Sequence, residues 1–179
     1  MDGGSVKTRP GRLSNASAST EDSPSGAVIE IRIARPEERP GLVEVWEAAV
    51  RATHHFLTEA DIQNIRRQVE ELLPAFEGLW TACPEDGPPA GFMGLTPPEE
   101  EGGEAEIDML FVSPDLHGQG VGTALVNFAR ARHPHLKLSV NEQNPRAHKF
   151  YENRGFVVVG RSPVDSQGRP FPLLHMLLP

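Results

Sequence analysis

Cysteine is almost missing from this chain: Cys83 is the single thiol among 179 residues. One thiol can neither staple a domain nor build a cysteine-based zinc site, and it fits a reducing, cytoplasmic setting. No run of about 18 apolar residues occurs, which argues against a transmembrane helix. The N-terminus lacks the apolar core of a secretory signal. Positive charge is in deficit, with 17 Lys and Arg against 25 Asp and Glu and a net charge of −8. Such a balance disfavours nucleic acid and leans toward a cationic partner such as an amine. Tyrosine occurs once, at Tyr151. There is no internal repeat.

What remains is the balance of a globular protein, 38% hydrophobic and 23% charged, with length for one ordinary domain. Residues 1–26 are rich in Ser, Gly and Thr and hold hardly any large apolar side chain. Lys7, Arg9 and Arg12 there cancel Asp2, Glu21 and Asp22, so the negative excess falls on the rest. Such a segment buries too little surface to offset its ordering entropy, and a disordered tail is expected ahead of a domain over 27–179.

Within that domain Val28 to Ile33 alternates, with Ile29, Ile31 and Ile33 expected on one strand face. Helical spacing begins at Pro40 and ends near Thr53, then resumes from about Glu59 to Phe76. Strands are expected over 79–83, 90–95 and 104–112, a helix over 121–132, and a short strand at Leu136, Leu138 and Val140. Asn144 and Pro145 make a good helix start, and Gly155 a good stop. Two strands follow, near 156–160 and 173–178. The order β-α-α-β-β-β-α-β-α-β-β predicts an α/β (α+β) fold: a mixed, mostly antiparallel, twisted sheet of about seven strands flanked by about four helices.

The most telling stretch is Ile107 to Thr123. An apolar strand runs into a loop with Gly118, Gly120 and Gly122, and a helix starts at once. Backbone N–H groups at a helix start lack partners, and the helix dipole adds partial positive charge, so the segment suits a phosphate or pyrophosphate. The G-x-G-x-G spacing, with no acidic residue at the right offset, does not fit the dinucleotide fingerprint. No Gly-Lys-Ser/Thr follows, so a P-loop fails too.

Leu110-Phe111-Val112, then Pro114, then His117-Gly118-Gln119-Gly120-Val121-Gly122, resemble the acetyl-CoA motif of the GNAT N-acetyltransferases. Val140, Asn144, Ala147, Phe150-Tyr151 and Gly155-Phe156 resemble that family's second signature, at a fitting separation. The resemblance covers about residues 28–179. Thr53-His54-His55-Phe56-Leu57, Asn141 to Asn144, Gly160-Arg161-Ser162, Asp165 and Pro172-Leu173-Leu174 are similar to the bacterial YjaB-type branch. The resemblance implies transfer of acetyl from acetyl-CoA to a primary amine, small molecule or protein lysine or N-terminus, by direct attack in a ternary complex. It implies that Leu110, Phe111 and Val112 pair with the cofactor, that 117–123 including Thr123 hold its diphosphate, and that Asn144 touches the pantetheine arm. The family usually opens this loop with Arg or Gln, whereas this chain has His117. A neutral imidazole donates one hydrogen bond and adds no full charge, and the alternative is that it merely faces solvent.

The chemistry sets the remaining expectations. An alkylammonium with a pKa of about 10 must lose a proton before it can attack a thioester. A carboxylate or His can take that proton, directly or through water. A strand N–H beside Leu110 to Val112 can donate to the oxyanion. In the resembling family the tyrosine at the place of Tyr151 lies beside the sulfur, which makes it the candidate acid for the departing thiolate. On the long strand, Glu106, Asp108 and Leu110 are expected on one face, opposite Ile107, Met109 and Phe111. Asp108 is the candidate base and Glu106 a lesser substrate contact; either can also be a solvated strand carboxylate. His54, between the first two helices, is a candidate substrate contact. With no H-E-x-x-H spacing, no metal is expected. A non-catalytic acyl-CoA sensor or interaction module stays as the alternative. A terminal strand can exchange or pair between subunits, which leaves a homodimer open.

Overall fold

The computed structural model describes residues 28–84 and 87–179; the expected tail over 1–26 lies outside the described residues. Seven strands form one sheet: β1 (Ile29–Ile33), β2 (Leu79–Pro84), β3 (Gly91–Thr96), β4 (Ala105–Val112), β5 (Leu136–Asn141), β6 (Val157–Ser162) and β7 (Leu173–Leu178). Their order across the sheet is β1-β2-β3-β4-β5-β7-β6. Every pairing is antiparallel except β4 with β5. Four α-helices complete the described domain: α1 (Arg39–Thr53), α2 (Glu59–Leu72), α3 (Val121–Arg132) and α4 (Pro145–Glu152).

Each face of the sheet carries its own core. On one, Val121, Leu125 and Ala129 of α3 and Tyr151 of α4 pack with Met93, Ile107, Leu138, Val140 and Met176. On the other, Leu42, Trp46 and Val50 of α1 and Ile62 of α2 pack with Leu79 and Phe92, with Met109 and Phe111 against them. Ile29 and Ile31 pack as expected, but Ile33, at the end of an edge strand, is 46% exposed.

Two further departures from the sequence expectation have clear causes. Helix α2 starts where Thr58 and Asp61 cap each other, with Thr58 N–H donating to Asp61 Oδ2 at 2.9 Å. It stops at Leu72 and does not run on to Phe76. Leu73 still has helical backbone angles, but Pro74 has no N–H to continue the helical bonding. Arg39 then gathers the freed carbonyls, donating to Leu73 O at 2.6 Å, Pro74 O at 2.7 Å and Phe76 O at 3.1 Å.

The second departure bears on the site. Gly94 pairs with Met109 but Leu95 pairs with Ile107, so Asp108 is an extra residue in β4. This β-bulge breaks the strict alternation of a strand. Ile107 and Leu110 consequently share the α3/α4 face, while Met109 and Phe111 share the other. The single-face grouping of Ile107, Met109 and Phe111 does not hold.

The chain's last strand, β7, is paired on both sides, by β5 and β6. A free edge belongs to β6, where Val157, Val158 and Val159 are exposed.

A Cβ added at Gly78 would run into the Leu95 carbonyl oxygen, on the residue whose N–H donates to Gly78 O at 2.9 Å. Gly78→Ala should destabilise the fold by about 2–4 kcal/mol, read as a lower denaturant midpoint with an unchanged slope.

Candidate active site

β4 and β5 pair only over Ala105–Ile107 with Leu136–Leu138, and then part. From Asp108 onward the β5-facing edge of β4 has no strand partner, while its other edge stays paired with β3 through Val112. A groove of about 400 Å³ opens there, lined by the β4 end, the glycine loop, α4 and the C-terminal end of α1.

The loop after β4 is built to expose backbone. Gly118 and Gly120 have φ of 80° and 87°, a region where a side chain is strained. The Gln119 N–H turns inward to Leu116 O at 3.2 Å, and Ala124 N–H closes the first helical bond to Gly120 O at 2.8 Å. The N–H groups of Gly118, Gly120, Val121, Gly122 and Thr123 take no backbone carbonyl among the described residues. They stand at the positive end of α3. Gly122 serves a different need, since a Cβ there would press on the Phe150 ring at 3.2 Å.

His117 is tied back rather than free. Its Nε2 donates to Val112 O at 3.0 Å, so a neutral ring presents only the Nδ1 lone pair to an anion. Gln119 sits apart from the groove lining, and its amide donates to Asp115 O at 3.0 Å. Two arginines that the sequence motifs did not single out line the groove, Arg146 and Arg154. Arg154 lies over the Phe150 ring at 3.5 Å, donates to Phe150 O at 2.6 Å and reaches Thr123 Oγ1. Its place four residues after Phe150 and three after Tyr151, in the turn that ends α4, was the available signal.

Asn144 is buried and caps α4, its Oδ1 accepting from Ala147 N–H at 3.1 Å. Its amide nitrogen has no hydrogen-bond partner among the described residues. Tyr151 is 7% exposed, set between Phe150 and Phe156 with ring centroids at 5.0 and 5.5 Å. Burial drives its phenol well above the ordinary tyrosine value, with Arg154 opposing only in part. The phenol therefore keeps its proton at neutral pH, and its hydroxyl has no side-chain or backbone partner among the described residues.

Leu110, Phe111, Val112, His117, Gly118, Gly120, Val121, Gly122, Thr123, Asn144, Tyr151 and His54 all line the groove. Asp108 and Glu106 do not. The bulge carries Asp108 beside β3, where Thr96 Oγ1 donates to its Oδ2 at 2.8 Å. Partial burial, opposed by that hydrogen bond and aided by the Glu106 charge, holds the Asp108 carboxyl above its ordinary value. Glu106 pairs with Lys137 at 3.4 Å.

Bare amides at a helix start beside an open strand edge suit a ligand with an anionic end and an amide-bearing arm, as acyl-coenzyme A has. The comparisons agree. The acetyltransferase (GNAT) family profile matches residues 37–156, and the chain belongs to that family. It is an acetyl-CoA-dependent N-acetyltransferase, an enzyme rather than a silent sensor. It is similar to the peptidyl-lysine N-acetyltransferase YjaB of Salmonella typhimurium strain LT2, 43% identical over 152 residues, 85% of this chain and 99% of that one. The solution structure of apo YjaB from Escherichia coli has 43% identity and a TM-score of 0.76 over 84% of this chain and 97% of that one. The PaiA N-acetyltransferase of Thermoplasma acidophilum, solved with coenzyme A, shares the fold at 23% identity, with a TM-score of 0.67 over 84% of this chain and 98% of that one. No described helix is long and apolar enough to cross a membrane.

Because Tyr151 is the only tyrosine, its ionisation can be followed alone at 295 nm. A folded pKa raised above the unfolded value of about 10 means that the unfolded chain sheds this proton first. Stability linked to Tyr151 is thus full below pH of about 10 and falls as pH rises above it. The tyrosinate signal should appear only together with loss of folded structure.

Proposed function

We propose that this enzyme acetylates the side-chain amine of lysine in a protein, in the cytoplasm. The observation that carries this reading is the groove itself, where the open edge of β4 meets a protonated phenol and a neutral imidazole. The acceptor named for the relative from Salmonella typhimurium, 43% identical, supports it.

In this reading the amides of Gly118 to Thr123 hold the diphosphate, and Arg146 and Arg154 offset the phosphate charge. The free edge of β4 from Leu110 to Val112 bonds the pantetheine amides as a neighbouring strand would, and the Asn144 amide adds a donor. A β4 backbone N–H donates to the carbonyl oxygen as charge develops there. The amine nitrogen bonds to the acetyl carbon, the carbon–sulfur bond breaks, and Tyr151 protonates the departing thiolate. The amine's second proton then restores the phenol. Asp108, outside the groove lining, receives the first proton through water rather than by contact.

Tyr151→Phe should lower kcat by about 10²-fold while the acetyl-CoA Kd from calorimetry stays within a factor of two, both on the order expected for loss of a general acid. An equal loss in both would make Tyr151 structural. At Gly120 a Cβ would meet nothing within 4 Å, so its substitution acts through the backbone alone. Gly120→Ala should weaken acetyl-CoA binding by about tenfold, the cost of about 1–2 kcal/mol for a side chain in that conformation.

A further inference from the structure

From the groove a row of half-buried rings leads away past the α1–α2 turn. Phe111 lines the groove, and its centroid lies 6.5 Å from that of His54. His54 is 5.4 Å from Phe56, and Phe56 is 5.6 Å from Phe171 in the β6–β7 connection. That connection is fastened to α2 by two hydrogen bonds, Gln68 Nε2 donating to Gln167 Oε1 at 3.2 Å and Gln167 Nε2 donating to Gln68 Oε1 at 2.8 Å. The row therefore forms a held wall, contributed by β4, the α1–α2 turn and the β6–β7 loop.

The tautomer of His54 follows from its neighbour. Thr53 Oγ1 lies 2.7 Å from Ala49 O, a carbonyl that can only accept, so the single hydroxyl proton is spent there. Two oxygens at that distance without a proton between them would repel. The same Oγ1 lies 2.8 Å from His54 Nδ1, so Nδ1 carries the ring proton and donates. Nε2 is left with a lone pair and no partner among the described residues.

We propose that the acceptor amine enters along this row and that His54 Nε2 accepts a hydrogen bond from it, aiming the nitrogen lone pair at the thioester carbon. This rests on the lysine reading above and deepens it. Aromatic faces attract an alkylammonium and pack its methylenes. Burial, with the neighbouring His55 adding to it, brings His54 down to about 4, so the ring stays neutral and does not repel an incoming cation. His54 orients the amine and stores no proton. The first amine proton leaves through water to Asp108 before attack, the carbon–nitrogen bond forms as the carbon–sulfur bond breaks, and the second proton replaces the one Tyr151 gave. The nitrogen–Nε2 hydrogen bond persists throughout.

The test uses the full chain, acetyl-CoA and a lysine-containing peptide, with thiol release as the readout. His54→Gln should lower kcat/KM for the peptide by about tenfold, the size of one well-placed hydrogen bond, and leave acetyl-CoA affinity unchanged. Thr53→Val keeps the ring but removes its Nδ1 partner, and should lower the same ratio by a few-fold. Phe171→Ala should raise the peptide KM with little change in kcat. Long-range proton–nitrogen NMR on the unmodified protein should show a protonated Nδ1 and a bare Nε2 whose shift moves when peptide is added. The opposite tautomer, or peptide turnover untouched by His54→Gln, would overturn the role given to His54. Failure of the unmodified protein to acetylate any lysine peptide, while it acetylates other amines, would overturn the acceptor reading itself.

Discussion

The parting of β4 from β5 is the constraint on which the rest depends. A strand edge in the middle of a sheet is normally paired along its length, because buried N–H and C=O groups are costly when unmet. Here pairing lasts through Ile107 and then ceases, and the β4 edge is open where it meets the glycine loop. The two strands are parallel and joined through α3, so the helix start falls at the same end of the sheet as the opening. Strand edge and helix amides thus face one groove by topology alone. A ligand with an amide-bearing arm and an anionic end fits both at once.

Burial then assigns protonation states within that groove. Tyr151 is held as a phenol, and His54 as a neutral imidazole, both mainly through loss of solvent. Carboxylates are kept off the groove lining, with Asp108 bound by Thr96 and Glu106 paired to Lys137. The glycine-loop side of the groove carries the cations, Arg146 and Arg154, and the α1 side carries neutral rings. The charge of the groove therefore runs from cationic to neutral.

Much of this was legible along the chain, for local reasons. Alternation at Leu136, Leu138 and Val140, the cap at Asn144 and Pro145, and the glycines at 118 and 120 are decided by neighbours a few residues away. Leu110 to Val112, the loop amides, Asn144 and Tyr151 could be expected at one site because the two motifs carry them. The end of α2 was harder. Pro74 was a visible warning, but its decisive partner, Arg39, lies far back in the chain.

What the sequence by itself determined is the order of elements, the exposed amides and the presence of a single candidate acid, since each depends on short-range backbone preference and composition. What only the tertiary structure decided is which side chains meet. One unpaired residue at Asp108 reversed the faces on either side of it, an effect set by pairing across β3 that no period within β4 reveals. The ring row from Phe111 to Phe171 and the His54 tautomer arise from contacts between segments or from hydrogen-bond accounting on atoms. Neither leaves a periodic trace along the chain.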